Sequence, residues 1–252
     1  MVAKQIGIIG GMGPQAGLDL HQKVLDETLA VADQDHIPVV HVSFPAQISD
    51  RTAYLLEGRG ENPAGGILDV VCHLEQNGVA VAGMPCNTAH SPEIRRVVLR
   101  GMLDLKFKIK LLNMIEETAA LLVQRHPNLT QIALLATNGT CRTHIYQRAL
   151  EKRGLTVLLP EASVQERVQA AIYDPEKGIK AKGNPVTDWA KNEIRDAIAH
   201  SKELGAQAVI LGCTELPLAI TDGMLFGLPM IDPARALARA LIREAAPDKL
   251  RD

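Results

Sequence analysis

Aromatic side chains are scarce in this 252-residue chain: one Trp, three Tyr and three Phe, 3% of residues, against 20 Gly. A chain so poor in flat rings lacks the stacking platforms that hold single-stranded nucleic acid. An excess of charge of one sign is missing too. There are 27 basic and 29 acidic residues, a formal net charge of −2, so no overall field draws in DNA, RNA or an anionic membrane surface. No uninterrupted apolar run reaches the roughly 18 residues that a membrane helix needs. Met1-Val2-Ala3-Lys4 leads directly into a strand-like run instead of the apolar segment of a signal peptide. The expectation is a cytoplasmic protein that takes a small polar ligand and binds neither nucleic acid nor membrane. Four cysteines, Cys72, Cys86, Cys141 and Cys213, are too few and too scattered for a disulfide framework, and none forms a CxxC pair. The eight histidines show no HExxH or comparable spacing, so no metal site is expected.

What is present is an ordinary globular balance, 46% apolar and 22% charged, and a length that allows one large α/β domain or two small lobes at roughly 150 residues per domain. Short β-branched runs at 4–9, 38–44 and 79–84 alternate with helical periodicity at 16–32 and 63–77, the latter closed by Gly78. The same order returns as strands at 131–136, 155–159 and 206–211 with helices at 143–153 and 187–204. Strands alternating with helices imply parallel sheets covered on both faces. Gln5, Ile6 and Gly13 match Gln131, Ile132 and Gly139 at an offset of 126 residues. Ile67, Asp69, His73, Gly78 and Cys86 match Ile194, Asp196, His200, Gly205 and Cys213 at 127. The predicted fold is therefore α/β, with two similar Rossmann-like lobes related by a pseudo-two-fold axis and the site between them. Two further βα pieces begin near Ile109 and Gly227, and the residues alone do not say which lobe each joins. Boundaries are placed at 1–112 plus 226–252 for the first lobe and 113–225 for the second.

The repeat puts Cys86 and Cys213 just past the carboxyl ends of equivalent strands, where open α/β sheets bind ligands. A thiol with an ordinary pKa near 8.5 can serve as base in one state and acid in the other. Two such groups on opposite faces of a carbon invert it by removing and returning a proton. Cys86 also precedes Ser91-Pro92, an N-cap followed by Pro at the first helical position, and amide N–H groups gathered there lower a thiol pKa and hold a carboxylate. Cys213-Thr214-Glu215 repeats the arrangement. The plainer reading of each is a buried packing cysteine, which is the expectation for Cys72 and Cys141.

Gly10-Gly11-Met12-Gly13-Pro14, Gln47-Ile48-Ser49-Asp50-Arg51-Thr52, Met84-Pro85-Cys86-Asn87-Thr88-Ala89-His90 and Leu211-Gly212-Cys213-Thr214-Glu215-Leu216 together resemble the aspartate/glutamate racemase family, in order and over nearly the whole chain. The resemblance implies a cofactor-independent, PLP-free amino-acid racemase, a homodimer, with Cys86 and Cys213 as its catalytic pair. It implies Arg51 as the contact for an acidic side chain, for which a guanidinium pairing with a carboxylate is suited, and Gln47 as a ligand contact in the same loop. The alternative for Arg51 is a surface residue of a polar loop. By the same resemblance Met12 sits against the substrate, Asn87, Thr88 and Thr214 hold its carboxylate or amino group, and Glu215 tunes the second cysteine or binds the ammonium. As plainer readings, Thr88 and Thr214 cap turns and Met12 fills core. A substrate lysine falls among Lys177, Lys180 and Lys182, with Lys180 aligning best, and His90 reads as a neighbour of the site.

Other readings stay open. Gly11-x-Gly13-x-x-Ala16 satisfies the dinucleotide pattern after a strand, but no acidic residue closes the second strand, where Val42-Ser43-Phe44-Pro45 stands. A hydantoin racemase or decarboxylase of related build, and a non-catalytic amino-acid-binding protein, are the alternatives. The difference between aspartate and glutamate is one methylene of pocket depth and is not readable here.

Overall fold

The structure, a computed structural model, describes residues 3–252 and divides them into two compact units, 3–117 with 234–252 and 118–233. Met1 and Val2, which belong to the expected leaderless start, lie outside the described residues.

In the first unit, strands β1 (Ile6–Gly10), β2 (Val39–Ser43), β3 (Val81–Gly83) and β4 (Lys110–Leu111) form a parallel sheet in the order β2-β1-β3-β4. β1 is buried at every position, as a central parallel strand must be when both faces are covered. Its alternation sorts the core: Ile6 and Ile8 join Leu20, Val24, Leu237 and Leu241 on one face, and Ile9 joins Val70, Leu74 and Val98 on the other. The first helix, Pro14–Glu27, starts with Pro at N1 and ends five residues before the expected Ala32. Thr28 stops it: its hydroxyl donates to the Val24 carbonyl at 2.6 Å and its backbone bridges to Leu250. Glu27 then accepts from Arg235 and from Arg239, the latter at 2.5 Å, tying this helix to Pro233–Ala245.

The second unit repeats the plan. β5 (Gln131–Leu135), β6 (Thr156–Leu158), β7 (Ala208–Leu211), β8 (Met224–Leu225) and β9 (Leu228–Ile231) stand in the order β6-β5-β7-β9-β8. The first four reproduce the parallel order of the other sheet, and β8 adds an antiparallel edge through the two-residue turn Phe226-Gly227, both at positive φ. The expected domain boundary differs from this. β9 pairs with β7 through Val209–Met230 and Ile210–Ile231, so the crossing falls at 233/234 instead of 225/226, and at 117/118 instead of 112/113. Helices that were not foreseen include Arg51–Glu57, Asn138–Arg142 and Ala162–Tyr173.

Candidate active site

The candidates of the first unit follow the carboxyl ends of its strands. Met12, after β1, is 2% exposed and packs in the same core cluster as Ile9, Ile48 and Cys86. After β2, Asp50 caps a helix by accepting from the Ala53 N–H at 2.8 Å. Arg51 is thereby the first residue of Arg51–Glu57, buried, with Nη1 donating to the Ser49 carbonyl at 3.1 Å. It is not a surface residue on a loop. Gln47, four residues earlier, is exposed. β3 ends at Gly83, and Cys86, Asn87 and Thr88 beyond it are all buried. The Cys86 N–H donates to the Met84 carbonyl at 2.9 Å, and the same oxygen lies 3.1 Å from His90 Nε2. Ser91 and Pro92 start the helix Pro92–Asp104 as the spacing predicts, although the Ser91 hydroxyl makes no capping bond.

In the second unit β7 ends at Leu211 and the chain turns through Gly212, where a Cβ would come within about 3.1 Å of the Leu135 carbonyl and Ala136. A side chain there would also come 2.5 Å from Leu134 Cδ1, so its neighbours would have to shift to admit it. Cys213, Thr214 and Glu215 follow, all buried. The Cys213 thiol donates to Glu215 Oε2 at 2.8 Å, the Thr214 hydroxyl donates to the same oxygen at 3.4 Å, and Lys180 Nζ reaches Glu215 Oε1 at 2.5 Å. Glu215 thus collects a thiol, a hydroxyl and an ammonium.

Electrostatically this cluster corrects one expectation. Burial, reinforced by the Glu215 carboxylate, pushes the Cys213 thiol well above its ordinary pKa, and the charge of Lys180 and the Glu215 N–H only partly offset this. Cys213 is held as a thiol, whereas the helix-start pattern had suggested a depressed pKa. For Lys180, burial alone would favour the neutral amine, but the charges of Glu215 and Cys213 outweigh it and raise its pKa.

Of the three lysines, the structure brings only Lys180 to a site residue. Lys177 Nζ lies over the Trp189 ring, 3.9 Å from its centroid, and Lys182 is exposed. Lys180 is aimed by its backbone, whose N–H bonds the Ile172 carbonyl at 3.1 Å.

Cys141 is buried and donates to Gln165 Oε1 at 3.7 Å; burial pushes its thiol up to about 12. Gln165 also donates to the Ala136 carbonyl and Asn138 Oδ1, at 2.9 and 2.8 Å, so Cys141 belongs to the bracing of the loop after β5. Cys72 is half-buried and accepts from Gln76 at 3.6 Å. Sequence reasoning missed Tyr146. It is fully buried, burial is the largest cause of its strongly raised pKa, and Asp232 and Cys213 add to it. A tyrosine on an apolar helix face carries no local sign of such neighbours. Among the described residues, no group of three or more His, Cys, Asp or Glu is gathered closely enough to hold a metal ion, and no helix is long and apolar enough to cross a membrane.

A family model described as Asp/Glu/Hydantoin racemase matches residues 9–241. The chain belongs to this racemase family. Among relatives of the family, it is 26% identical over 243 residues to the broad specificity amino-acid racemase RacX of Bacillus subtilis, covering 94% of this chain and 96% of that protein. Among solved structures it resembles the aspartate racemase of Picrophilus torridus, with TM-score 0.80, 32% identity and coverage of 98% and 96% of the two chains. The glutamate racemase of Francisella tularensis, solved with D-glutamate, shares the two-lobed fold at TM-score 0.66 and 16% identity, covering all of this chain (100%) and 84% of that one.

Proposed function

We propose that this racemase-family protein interconverts L- and D-aspartate, with glutamate as the next choice, by moving the α-proton between Cys86 and Cys213 without a cofactor. The observation that carries the reading is the surrounding of Cys213, whose S–H points at a buried carboxylate that is itself paired with an ammonium. A cysteine that merely packs has no need of that arrangement. Its counterpart Cys86 stands buried beyond the equivalent strand of a sheet with the same order.

In one direction the Cys86 thiolate removes the α-proton and becomes a thiol, leaving a carbanion delocalised into the α-carboxylate. Cys213 delivers its proton to the other face and is left as a thiolate, whose charge Lys180 stabilises. The reverse reaction exchanges the roles. Arg51 offers its guanidinium to the acidic side chain, while Asn87, Thr88 and Thr214 supply donors for the carboxylate at Cα. Met12 and Gln47 complete the contacts that the family resemblance implies. A homodimer belongs to the same reading and rests on that resemblance, and a cytoplasmic location, expected from the sequence itself, goes with it.

The broad specificity in the name of the Bacillus relative makes a substrate panel the right test. Incubation with L-aspartate in D2O, without added PLP or metal, is expected to give D-aspartate carrying deuterium at Cα, and chiral analysis across the panel ranks aspartate first. Absence of exchange with every acidic amino acid would overturn the proposal.

A further inference from the structure

His90 is 4% exposed and sits in the short turn Thr88–His90 between the first cysteine and the helix that follows. Its Nε2 lies 3.1 Å from the Met84 carbonyl oxygen. A carbonyl only accepts, so Nε2 carries the proton and the imidazole is the donor. Burial is the main influence on this ring and favours its neutral form; the bond to Met84 opposes that, the charge of Arg95 reinforces it, and the pKa falls to about 4. A ring that stays neutral with its one N–H committed to a carbonyl is not placed to carry protons for the reaction. What it holds is informative. The Met84 oxygen also accepts the Cys86 N–H at 2.9 Å, closing a three-residue γ-turn around Pro85, whose fixed φ suits the centre of such a turn. A γ-turn is a weak device with one bent hydrogen bond, and here a second donor braces the same oxygen from the side.

The second unit has no copy of this brace. The residue 127 positions after His90 is Pro217, in the helix Leu216–Ala219, and proline has no side-chain or backbone donor.

We propose that His90 is a positioning residue for Cys86: by holding the Met84 carbonyl it fixes the turn that aims this thiol, and it governs the half-reaction of this cysteine alone. The kinetic consequence rests on the two-cysteine reading above, while the effect on the thiol itself does not. The test compares His90→Gln, whose amide nitrogen reaches where Nε2 stood, with His90→Asn, whose amide is equally polar but falls short. In each folded variant, peptide-resolved mass spectrometry follows iodoacetamide alkylation of Cys86 against Cys213 as internal control. The expected result is that His90→Asn raises the Cys86 rate threefold or more with Cys213 within twofold of the native rate, and that His90→Gln restores both. Unchanged or parallel rates overturn the proposal whether or not racemisation is ever found. With aspartate in D2O, His90→Asn is further expected to lose inversion about 10- to 100-fold, while deuterium still enters the enantiomer whose proton Cys213 takes. Equal loss of exchange from both enantiomers would mean a merely structural role. If the native protein exchanges no amino acid, the reading of function fails and the alkylation comparison still decides this one.

Discussion

Cys86 and Cys213 stand beyond corresponding strands of two sheets with the same strand order, 127 residues apart in sequence, yet the groups that fix them are of different kinds. Around Cys213 the partners are charged: a carboxylate 2.8 Å from the sulfur and, behind it, an ammonium. At Cys86 the bonds are neutral: its N–H donates to the Met84 carbonyl, and that same oxygen is held by the uncharged His90 imidazole. Duplication kept the place of the thiol and let its surroundings diverge. One cysteine is governed through its protonation equilibrium and the other through its backbone geometry.

The harshest test of the comparison removes each thiol in turn. Cys86→Ser and Cys213→Ser are each expected to lower racemisation by about 10²- to 10⁴-fold, the usual weight of a positioned proton carrier. Chiral chromatography of the product over time reads the loss. Full activity surviving in either variant would reduce the pair to one working cysteine, and the contrast between their surroundings would lose its mechanistic meaning.

A smaller effect isolates the charged half. Removing the Glu215 charge, as in Glu215→Gln, takes away an influence that raises the Cys213 pKa while Lys180, which lowers it, remains. The Cys213 pKa is therefore expected to fall. Each unit of that fall multiplies the thiolate fraction about tenfold at a pH below the pKa. Alkylation of Cys213 as a function of pH should shift toward lower pH, with the profile of Cys86 unmoved. A shift of both profiles together would show that Glu215 acts on the fold at large.

Much of the scaffold was legible because it is written in local patterns. The buried run Ile6–Gly10 and the run closed by Gly78 carry their own periodicities, and the offsets of 126 and 127 residues exposed the repeat. The boundary near 233 was not legible, since it depends on β9 pairing with β7, a contact between residues about 20 positions apart with no signature in either strand. Helix Arg51–Glu57 hid in a polar segment whose start signal, Asp50, reads equally well as a turn. Both cysteines were singled out by the repeat, by their strand ends and by the family resemblance. The link from Lys180 to Glu215 spans 35 residues, and only the fold shows that the carboxylate faces the thiol and holds its proton on. Local composition records which groups are available; it does not record which charge lies behind which sulfur.

The finest test concerns the lysines, and it asks how far the charged surroundings of Cys213 extend. Lys177 and Lys180 are three positions apart, yet one covers Trp189 at 3.9 Å and the other pairs with Glu215 at 2.5 Å. If the charged cluster ends at Lys180, Lys177→Ala removes only a cation–π contact at the surface, worth about 0.5–1 kcal/mol. Racemisation and the pH profile of Cys213 alkylation should both stay within about twofold of native, with a loss of thermal stability of that same small size. Lys180→Ala is the contrast, since it leaves Glu215 buried beside Cys213 without its counter-charge. There the Cys213 profile should move toward higher pH, because the ammonium is what draws the thiol pKa down. An equal upward shift in Lys177→Ala would extend the cluster past Trp189 and make the second cysteine the property of a whole loop instead of one ion pair.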